Sequence, residues 1–367
     1  MKIALIGDIA FLGRASISGN NNYMSYFSDI AQYLHSVDYV IGNLETPFSQ
    51  KKKTYGAKSA FICANTIDSE LLNILSVNAV TLANNHIFDF GKEGYELTKK
   101  ILKSRNIHFF GVEGKEVKLN ILGNKIALSG FCCYSSNPQK NVQFGEYGIN
   151  EYNIKNTADR IRELSSEGYL PIIAVHGGKE HVNYPSSDTV LAARQLSKVA
   201  PFIFYGHHPH VVQGIEETNK SILAYSLGNF CFDDIYQGDS EKPFVELTEN
   251  NRSSVILEIE IINSQIINWK TIPIYIGKDK IYMGKGVTEK QLYEYSYKLK
   301  SVGTIAYDDF RMTEINNYYA PRLANRTFKW VLRRLRPRYA YLMYTNYLNK
   351  KKYKKCITKQ LIKHESL

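Results

Sequence analysis

Short apolar runs, each followed by a polar or glycine-containing turn, recur along the first part of this chain. Runs of this length between turn residues predict buried β-strands. The segments between them place apolar residues three and four positions apart, which predicts amphipathic helices. The predicted strands cover residues 3–6, 39–41, 79–83, 107–110, 125–131, 171–175, 202–205 and 222–226, and the predicted helices cover 23–35, 69–75, 92–104, 157–166 and 191–198.

The order of these elements is mostly strand followed by helix. Such an alternation is typical of α/β folds with much parallel strand pairing. Two later apolar runs, 254–262 and 265–276, flank Asn263 and Ser264 and predict a hairpin that closes the sheet. The expected fold class is therefore α/β.

The C-terminal part of the chain differs from the rest. Near residue 280 the pattern changes to a helix at 289–300, followed by an aromatic and basic segment. We therefore predict a domain over residues 1–278 and a helical, basic C-terminal extension over 279–367. The net charge of +11 arises in this extension, where the basic residues are Arg326, Lys329, Arg333, Arg334, Arg336, Arg338, Lys350, Lys351, Lys352, Lys354, Lys355, Lys359 and Lys363. No acid lies between 326 and 363, so the charge belongs to the extension rather than to a site in the domain.

Polar side chains follow the predicted strands at the point where each strand ends. Residues of this kind are Asp8, Glu45, Asn85, His86, His176 and His208. In open α/β sheets, ligands bind at the edge formed by the carboxyl ends of the strands. One such residue would mean little, but their repetition at successive strand ends predicts a polar site at this edge.

The residue types at these positions are ligands for divalent metal ions. The carboxylates are Asp8 and Glu45, the amide is Asn85, and the imidazoles are His86, His176, His208 and His210. Three of the nine histidines fall within residues 207–210, and the spacing of His208 and His210 can place two rings on one side of an extended segment. No cysteine joins the set, which argues against a structural zinc site. Mixed oxygen and imidazole donors with a bridging carboxylate predict a two-metal phosphoesterase type of site.

Each of these residues also has a purely structural interpretation. Asp8 could cap the segment after its strand, and Glu45 alone is more often a solvated surface acid. Asn84 and Asn85 suit a turn with positive φ. His86 alone is more often a loop histidine with ordinary hydrogen bonds.

Four further residues have two open interpretations each. Asp89 could orient a ligand histidine or cap the helix that starts at Lys92. Glu180 and His181 could contact substrate or lie in solvent. Arg14 could bind a phosphate group bidentately or be a surface charge.

Composition and the chain start indicate a cellular compartment. The chain has 367 residues, of which 44% are hydrophobic and 22% charged, as in ordinary globular proteins. Its five cysteines are scattered without a CxxC pair, which favours a reducing compartment. Residues 1–11 run directly into the Gly7-Asp8 pair and predict a first strand rather than a signal peptide. With no run of about 18 apolar residues, we expect a cytoplasmic protein.

The basic extension leaves two interpretations open. Residues 328–336 have helical spacing, with apolar residues on one side and arginines around the other, and tyrosines and a lysine cluster follow. One interpretation is a peripheral contact of residues 328–363 with the inner face of the membrane or with an anionic polymer. The other is a helix packed on the domain, followed by a solvated tail. The chain carries no recognisable nucleic-acid-binding module, so a nucleic-acid partner is not expected.

An ordered series of motifs resembles one protein family. The series is Gly7-Asp8 with Gly13-Arg14, Asn43-Leu44-Glu45, Asn84-Asn85-His86 with Asp89 and Gly91, His176-Gly177-Gly178 with Glu180, Gly206-His207-His208-Pro209-His210, and Tyr225-Ser226-Leu227-Gly228-Asn229-Phe230. This series resembles the CapA-type capsule and poly-γ-glutamate biosynthesis family, which is similar to the calcineurin-like metallophosphoesterases. The resemblance covers roughly residues 1–277.

The resemblance implies a fold and a set of site residues. The implied fold is a four-layer α/β/β/α sandwich of the metallophosphoesterase type. The implied cofactor is a pair of divalent metal ions, for which Mn, Fe and Zn are all chemically plausible. The implied metal ligands are Asp8, Glu45, Asn85, His86, His176, His208 and His210. His86 can alternatively act as a general acid. Asp89 and His207 are assigned to catalysis beside it, with His207 as a phosphate contact. The residues assigned to substrate binding are Arg14, Asn43, Glu180 and Asn229.

The chain departs from the family pattern at two positions. The family usually has Trp after the fourth-motif histidine, whereas this chain has Gly177. The broader phosphoesterases carry Asp-x-His in the first motif, whereas Ala10 stands two residues after Asp8. One metal is therefore expected to have fewer ligands, with Asp8 as its main acidic ligand.

Two function hypotheses follow. The first is a metal-dependent phosphoesterase-like hydrolase that acts on a phosphate ester or an anionic polymer in capsule, surface polysaccharide or poly-γ-glutamate biosynthesis. The second is a non-catalytic accessory protein that binds metal or polyanion and couples a polymer synthase to the membrane through the basic extension.

Overall fold

The structure is a computed structural model of the chain. It describes residues 1–324 and 337–363, except residues 52, 57, 59 and 237–241. The amphipathic segment predicted at 328–336 lies outside these described residues.

Sixteen strands are present in the described part of the chain. They are β1 (Lys2–Ile9), β2 (Tyr39–Leu44), β3 (Val77–Thr81), β4 (His108–Phe110), β5 (Val117–Ile121), β6 (Asn124–Cys132), β7 (Asn141–Val142), β8 (Ile149–Asn150), β9 (Leu170–His176), β10 (Ile203–His207), β11 (Ile215–Thr218), β12 (Ser221–Ala224), β13 (Asn229–Cys231), β14 (Ser253–Ile262), β15 (Gln265–Ile276) and β16 (Ile281–Met283).

The α-helices lie mostly between these strands. They are α1 (Tyr23–Leu34), α2 (Glu70–Ile74), α3 (Gly91–Ser104), α4 (Ile154–Ser166), α5 (Ser187–Ser197), α6 (Glu249–Arg252), α7 (Glu289–Lys298), α8 (Ile305–Ala324), α9 (Pro337–Tyr353) and α10 (Lys359–Lys363). A π-helical turn, Lys354–Thr358, joins the last two.

The strands form two large sheets. The first has eight strands in the order β16-β15-β14-β1-β2-β3-β4, with β13 also paired to β1. The second has six strands in the order β11-β12-β10-β9-β6-β5. The central strands of both sheets are parallel and the outer hairpins are antiparallel. The predicted hairpin of β14 and β15 is confirmed, with Asn263 and Ser264 at its turn.

Burial in β1 shows how the layers are built. Ile3 and Leu5 pack into the apolar core between the two sheets, while Ala4 and Ile6 pack into the core beneath α1, α2 and α3. A third core lies between the second sheet and helices α4 and α5. The layer order is therefore helix, sheet, sheet, helix, which confirms the predicted four-layer sandwich.

Sequence periodicity found the central strands and the edge strand β4, but not the edge strands β5, β11 and β16 or the short strands β7 and β8. The polar alternation in β5 and β11 and the two-residue lengths of β7 and β8 leave no apolar run to detect. The predicted strand at 222–226 ends at Ala224, and the chain then passes to the other sheet as β13. This crossing brings Asn229 beside Asp8.

The described part of the C-terminal extension is helical and packs on the sandwich. In α7, Ser296 Oγ accepts a hydrogen bond from the Ile215 backbone N–H at 3.0 Å. Farther on, Cys356 and Ile357 are buried in the core beside α4 and α5. Strand β16 continues the first sheet past residue 278, and the division at that residue remains a prediction. Among the described residues, none of the helices combines the length and apolarity needed to cross a bilayer.

Gly206 offers a test of the close approach of β10 and β12. A Cβ built on Gly206 would collide with the carbonyl oxygen of Tyr225, which is backbone and cannot swing away. We expect Gly206→Ala to lower the free energy of unfolding by about 2–3 kcal/mol, as overpacking does. Gly123→Ala is the matched control, because a Cβ there meets nothing within 4 Å and only its φ of +79° is strained, at a cost of about 1 kcal/mol. Urea titration measures both, and equal losses would contradict the prediction.

Candidate functional site

The site forms where the carboxyl ends of parallel strands from both sheets meet. In the first sheet, Asp8 of β1 is in register with Asn43 of β2 and with Asn229 of β13. In the second sheet, His207 of β10 is in register with His176 of β9. Residues from distant parts of the chain therefore meet because parallel strands end at the same edge.

Tyr205 connects the two sheets directly behind this edge. Its hydroxyl lies against the carbonyl oxygens of Ile6 and Ile41, the second at 3.1 Å. Its ring packs edge-on against His207, with 4.1 Å between centroids. This contact ties the second sheet to the first at the level of the site.

Asp8 is a buried carboxylate with a full set of hydrogen-bond donors. Oδ1 accepts from Asn43 Nδ2 and from His207 Nδ1, both at 2.8 Å, and Oδ2 accepts from the His208 backbone N–H at 3.2 Å. Burial raises the pKa of Asp8, but the hydrogen bond and charge of His207 outweigh it, so the pKa lies below its usual value. Asp8 is thus held in its ionised form.

Glu45 is equally buried but has no such partners. Among the described residues, neither carboxylate oxygen accepts a hydrogen bond. Its Oε1 instead lies 3.6 Å from His210 Nε2, 3.9 Å from His86 Nε2 and 4.0 Å from His176 Nε2. Burial raises the pKa of Glu45 to about 8. Glu45 is therefore surrounded by imidazole nitrogens and forms a hydrogen bond with none of them.

His176 and His208 border Glu45 from the second sheet. His176 Nε2 lies 2.9 Å from Asn85 Oδ1, and its Nδ1 lies 3.5 Å from Asn43 Nδ2. The His176 and His208 rings lie 4.8 Å apart between centroids. Burial lowers the pKa of His176 well below its usual value and that of His208 to about 4. Both rings are therefore neutral, as metal-ligating imidazoles must be.

The segment from His208 to His210 is a turn, so the predicted extended geometry is wrong. His208 and His210 have φ values of +94° and +57°, on either side of Pro209. The two rings nevertheless line the same cavity, with 6.0 Å between their centroids. Non-glycine residues with positive φ are uncommon and cluster at functional sites.

His210 connects the two carboxylates. Its Nδ1 donates to Asn229 Oδ1 at 2.9 Å and lies 3.4 Å from Asp8 Oδ2, while its Nε2 faces Glu45. Burial lowers the pKa of His210, but the charges of Glu45 and Asp8 outweigh it and raise the pKa to about 9. The ring is therefore protonated, and its positive charge lies between the two carboxylates.

Asp89 orients His86, which is one of the two interpretations left open by the sequence. His86 Nδ1 donates to Asp89 Oδ2 at 2.7 Å, and the Ile62 backbone N–H and Lys58 Nζ also donate to Asp89, at 3.1 and 2.6 Å. Helix α3 begins at Gly91 without a side-chain cap. Burial raises the pKa of Asp89, but Lys58 and His86 lower it below its usual value. His86 Nε2 is left facing Glu45.

The other predicted residues divide into two groups. Glu180 and Asn229 line the cavity, and Glu180 Oε1 lies 3.9 Å from His208 Nε2. Asn43 and His207 bind Asp8 and are not among the residues that line the cavity. The roles assigned to all four in substrate binding or catalysis remain predictions.

The structure does not bring Arg14 to the cavity. Its guanidinium forms a bidentate ion pair with Asp233, in which Nε donates to Oδ2 at 3.0 Å, and lies 3.5 Å from Asp234. The hydrogen bond that Arg14 donates to Asp233 raises the pKa of Arg14 above its usual value. The structure therefore shows an internal ion pair where the sequence predicts a phosphate contact.

Four of the donors, Asn85, His86, His208 and His210, line a cavity of about 430 Å³. Its lining includes Lys58, Asn85, His86, Glu180, His181, His208, His210 and Asn229, together with the apolar residues Ile62, Phe232, Ile235, Val245 and Leu247 and with Tyr319, Leu342 and Asn346 from the C-terminal extension. Sequence analysis did not find Lys58 or the residues from the extension, because no local pattern marks a long-range contact.

The two departures from the family pattern have structural explanations. A Cβ on Gly177 would lie 2.5 Å from the Cβ of Cys133 and 3.1 Å from Ser135 Oγ, so this chain fills the space beside His176 with the 133–135 segment. Ala10 is fully buried in an apolar cluster with Ile62 and Phe232 and offers no ligand atom.

The donor set fits a divalent metal centre. Two ligands about 2.1 Å from one tetrahedral ion lie roughly 3.4 Å apart, close to the 3.6 Å between His210 Nε2 and Glu45 Oε1. Ligand atoms of Glu45, His208 and His210 all lie within 4.8 Å of one another. The buried Glu45 oxygens and His208 Nδ1 have no hydrogen-bond partner among the described residues. Oxygen and imidazole donors suit Mn, Fe and Zn alike.

Comparison with known proteins gives consistent matches. The family model described as Bacterial capsule synthesis protein PGA_cap matches residues 2–234. The capsule biosynthesis protein CapA of Bacillus anthracis is 27% identical over 296 residues, which cover 77% of this chain and 72% of that protein. The PGA biosynthesis protein CapA of Bacillus subtilis (strain 168) is 27% identical over 246 residues, 64% of this chain and 63% of that protein.

Among solved structures, a hypothetical protein from Thermus thermophilus matches with a TM-score of 0.47 and 12% identity, covering 77% of this chain and 99% of that chain. The family match extends over well more than half of the chain and includes every donor of the site. The chain therefore belongs to the bacterial capsule synthesis protein PGA_cap family.

Proposed function

We propose that this protein is a metal-dependent phosphoesterase-like hydrolase that acts in the biosynthesis of a capsule, a related surface polysaccharide or poly-γ-glutamate. Its family and the names of its two Bacillus relatives support the pathway. The donor chemistry of the site supports the reaction class.

One observation carries the proposal. The Glu45 carboxylate is fully buried, accepts no hydrogen bond within the described residues, and lies 3.6–4.0 Å from the Nε2 atoms of three histidines. A buried carboxylate that accepts no hydrogen bond costs several kcal/mol, which coordination to a cation offsets. Glu45 lies close to His210 and also to His176, so we assign it as the ligand that bridges two ions.

The remaining donors divide around Glu45 into two groups. Asp8 and His210 would hold one ion, and Asn85, His176 and His208 would hold the other, with His86 adjoining. Divalent cations in such a site polarise a phosphoryl oxygen and lower the pKa of a coordinated water molecule.

The side chains around the donors have orienting and proton-transfer roles. Asn43 and His207 keep Asp8 ionised and fixed through two hydrogen bonds of 2.8 Å. Burial lowers the pKa of His86, so its neutral ring donates Nδ1–H to Asp89 and turns an unprotonated Nε2 toward the cavity. Once that Nε2 takes up a proton, for which the Asp89 carboxylate provides the counter-charge, His86 can protonate the leaving oxygen of an ester, as a general acid does.

Metal content provides a first test. We expect purified protein supplied with Mn, Fe or Zn to hold about two equivalents of metal per chain. His208→Ala and His210→Ala should each lower that content, because each removes an imidazole from one group. His108→Ala, at an exposed position outside the site, is the matched control. Elemental analysis with an anomalous-scattering map measures the effect, and metal bound away from these residues would refute the assignment.

Catalysis provides a second test. Metal-replete protein should hydrolyse bis(p-nitrophenyl) phosphate, and EDTA or His208→Ala should abolish turnover. Asp89→Asn should lower kcat about 10²-fold with metal content retained, because it removes the carboxylate that orients His86 and leaves the donors unchanged. Glu93→Gln, at an exposed acid on the neighbouring helix α3, should have no effect. Absence of turnover on every phosphoester tested, with both metals bound, would disprove a hydrolase.

A second candidate function is a membrane-associated accessory role. Helix α9 exposes Tyr341, Met343, Tyr344 and Tyr347, and exposed Lys350–Lys352 follow on the same helix. Aromatic and basic side chains side by side suit the surface of an anionic membrane.

Flotation with phosphatidylglycerol vesicles tests this candidate. Substituting Lys350, Lys351 and Lys352 by Gln should lower the bound fraction at least tenfold, since each lysine near such a surface contributes about 1 kcal/mol. The control replaces the exposed lysines 100, 103 and 290 by Gln, which changes the net charge equally. Equal losses in both variants would show that only total charge matters, and no flotation of the unmodified protein would exclude the candidate.

A further inference from the structure

One wall of the cavity comes from the C-terminal extension. Tyr319 of α8 and Leu342 and Asn346 of α9 line it together with the donors. All donors lie within residues 2–234, the part that matches the family model, whereas these three residues lie beyond it. We call Tyr319, Leu342 and Asn346 the extension wall.

The extension wall is fastened to the rim of the cavity. The Tyr319 hydroxyl donates to the Glu180 carbonyl oxygen at 3.2 Å, and the Lys179 ammonium group lies 4.3 Å from the centre of the Tyr319 ring. Asn349, one turn beyond Asn346 in α9, donates to Asn137 Oδ1 at 2.6 Å. Glu180, Lys179 and Asn137 themselves line the cavity. These contacts fix the wall at the opening of the site.

More distant contacts hold α8 in place. The Tyr307 hydroxyl donates to the Pro185 carbonyl oxygen at 2.8 Å, and Arg311 Nε donates to the Tyr184 carbonyl oxygen at 2.9 Å. Both acceptors belong to the segment that follows Glu180. The extension is therefore attached along the same loop that carries part of the cavity rim.

The cavity also has an apolar side. Ile62, Phe232, Ile235 and Leu247 form one hydrophobic cluster, and all of them line the cavity, as does Val245. Phe232 packs edge-on against His210, with 5.2 Å between ring centroids. The apolar surface therefore begins directly beside the donors.

Size and lining together indicate more than a phosphate site. A volume of about 430 Å³ falls within the range of pockets that enclose a whole small ligand, roughly 300–1,000 Å³. Such pockets combine a largely apolar lining with a few polar groups that fix orientation. Here the polar groups are four of the donors together with Lys58, Lys179, Glu180, His181 and residues 135–137, and the apolar cluster and Leu342 form the apolar part of the lining that is left for the rest of the ligand.

We propose that the extension wall and the apolar cluster bind the organic group of a phosphate ester and select esters whose group has an apolar face of at least phenyl size. Leu342 supplies apolar contact, and Tyr319 and Asn346 bound the space available. The inference rests on the proposed function only in assigning the phosphate to the donors.

Binding of non-hydrolysable phosphonates tests the proposal without turnover. Titration calorimetry on the full-length, metal-supplied protein should show phenylphosphonate binding at least tenfold tighter than methylphosphonate. Leu342→Ala should reduce that ratio about fivefold and leave methylphosphonate binding unchanged. Leu348→Ala is the matched control, because Leu348 lies on the same helix, is exposed and does not line the cavity.

A second variant guards against misfolding. Leu342 is only half-buried, so Leu342→Trp should keep the thermal unfolding transition while it excludes phenylphosphonate and admits methylphosphonate. Equal binding of the two phosphonates, no binding of either, an unchanged ratio in Leu342→Ala, or tighter binding of a hexose 1-phosphate than of phenylphosphonate would overturn the proposal. If phenylphosphonate binds at least tenfold tighter than methylphosphonate but the protein hydrolyses no phosphoester, the role of the extension wall is supported and only the proposed hydrolase activity is refuted.

Discussion

A buried carboxylate without a hydrogen-bond donor is the constraint around which this site is organised. Glu45 is fully buried, and within the described residues nothing donates to either oxygen. Folding removes the water molecules around this carboxylate. The electrostatic interaction that favours its charged form is chiefly the one with His210. Burial raises the pKa of Glu45 while the two acids raise the pKa of His210. The positive charge beside Glu45 is thus that of protonated His210. A divalent cation bound by several of these side chains would compensate the carboxylates more fully.

The two-sheet architecture explains how this arrangement persists. Asp8 and Glu45 come from the first sheet and its following loops, and His176 and His208 come from the second. Tyr205, whose hydroxyl meets the carbonyl oxygens of Ile6 and Ile41, fixes one sheet against the other immediately behind them. Because the chain leaves the second sheet after β12 and β13 pairs with β1, Asn229 joins the same edge and accepts a hydrogen bond from Nδ1 of His210. A rigid connection of this kind can hold charged and neutral donors at ligand distances before any ion arrives.

The sequence predicts those parts of this arrangement that depend on local hydrophobic pattern and on the direction of the strands. Apolar runs locate the central parallel strands, and parallel strands ending at one edge explain why Asp8, His176 and His208 converge. Pattern does not reveal that Arg14 pairs with Asp233, 219 residues away, or that Lys58 reaches Asp89 from an irregular loop. The turn at His208–His210 was missed for a similar reason, since its two positive φ values depend on tertiary contacts with Asp8 and Asn229 rather than on local propensity.

The donors and the extension wall occupy different segments of this chain. Every donor lies in the part that matches the family model, and the hydrogen bonds of Asp8, Asn85, His86 and His210 tie the set to several neighbours, so a change there would disturb several contacts at once. Tyr319, Leu342 and Asn346 lie beyond that part, on helices attached through a few contacts at the rim, and Leu342 and Asn346 are not fully buried. A side chain that is half exposed can change size at little cost in stability. Substitutions in the extension can therefore alter the shape of the cavity while the donors remain fixed. The size of ligand that fits could then change without a change in the donor chemistry.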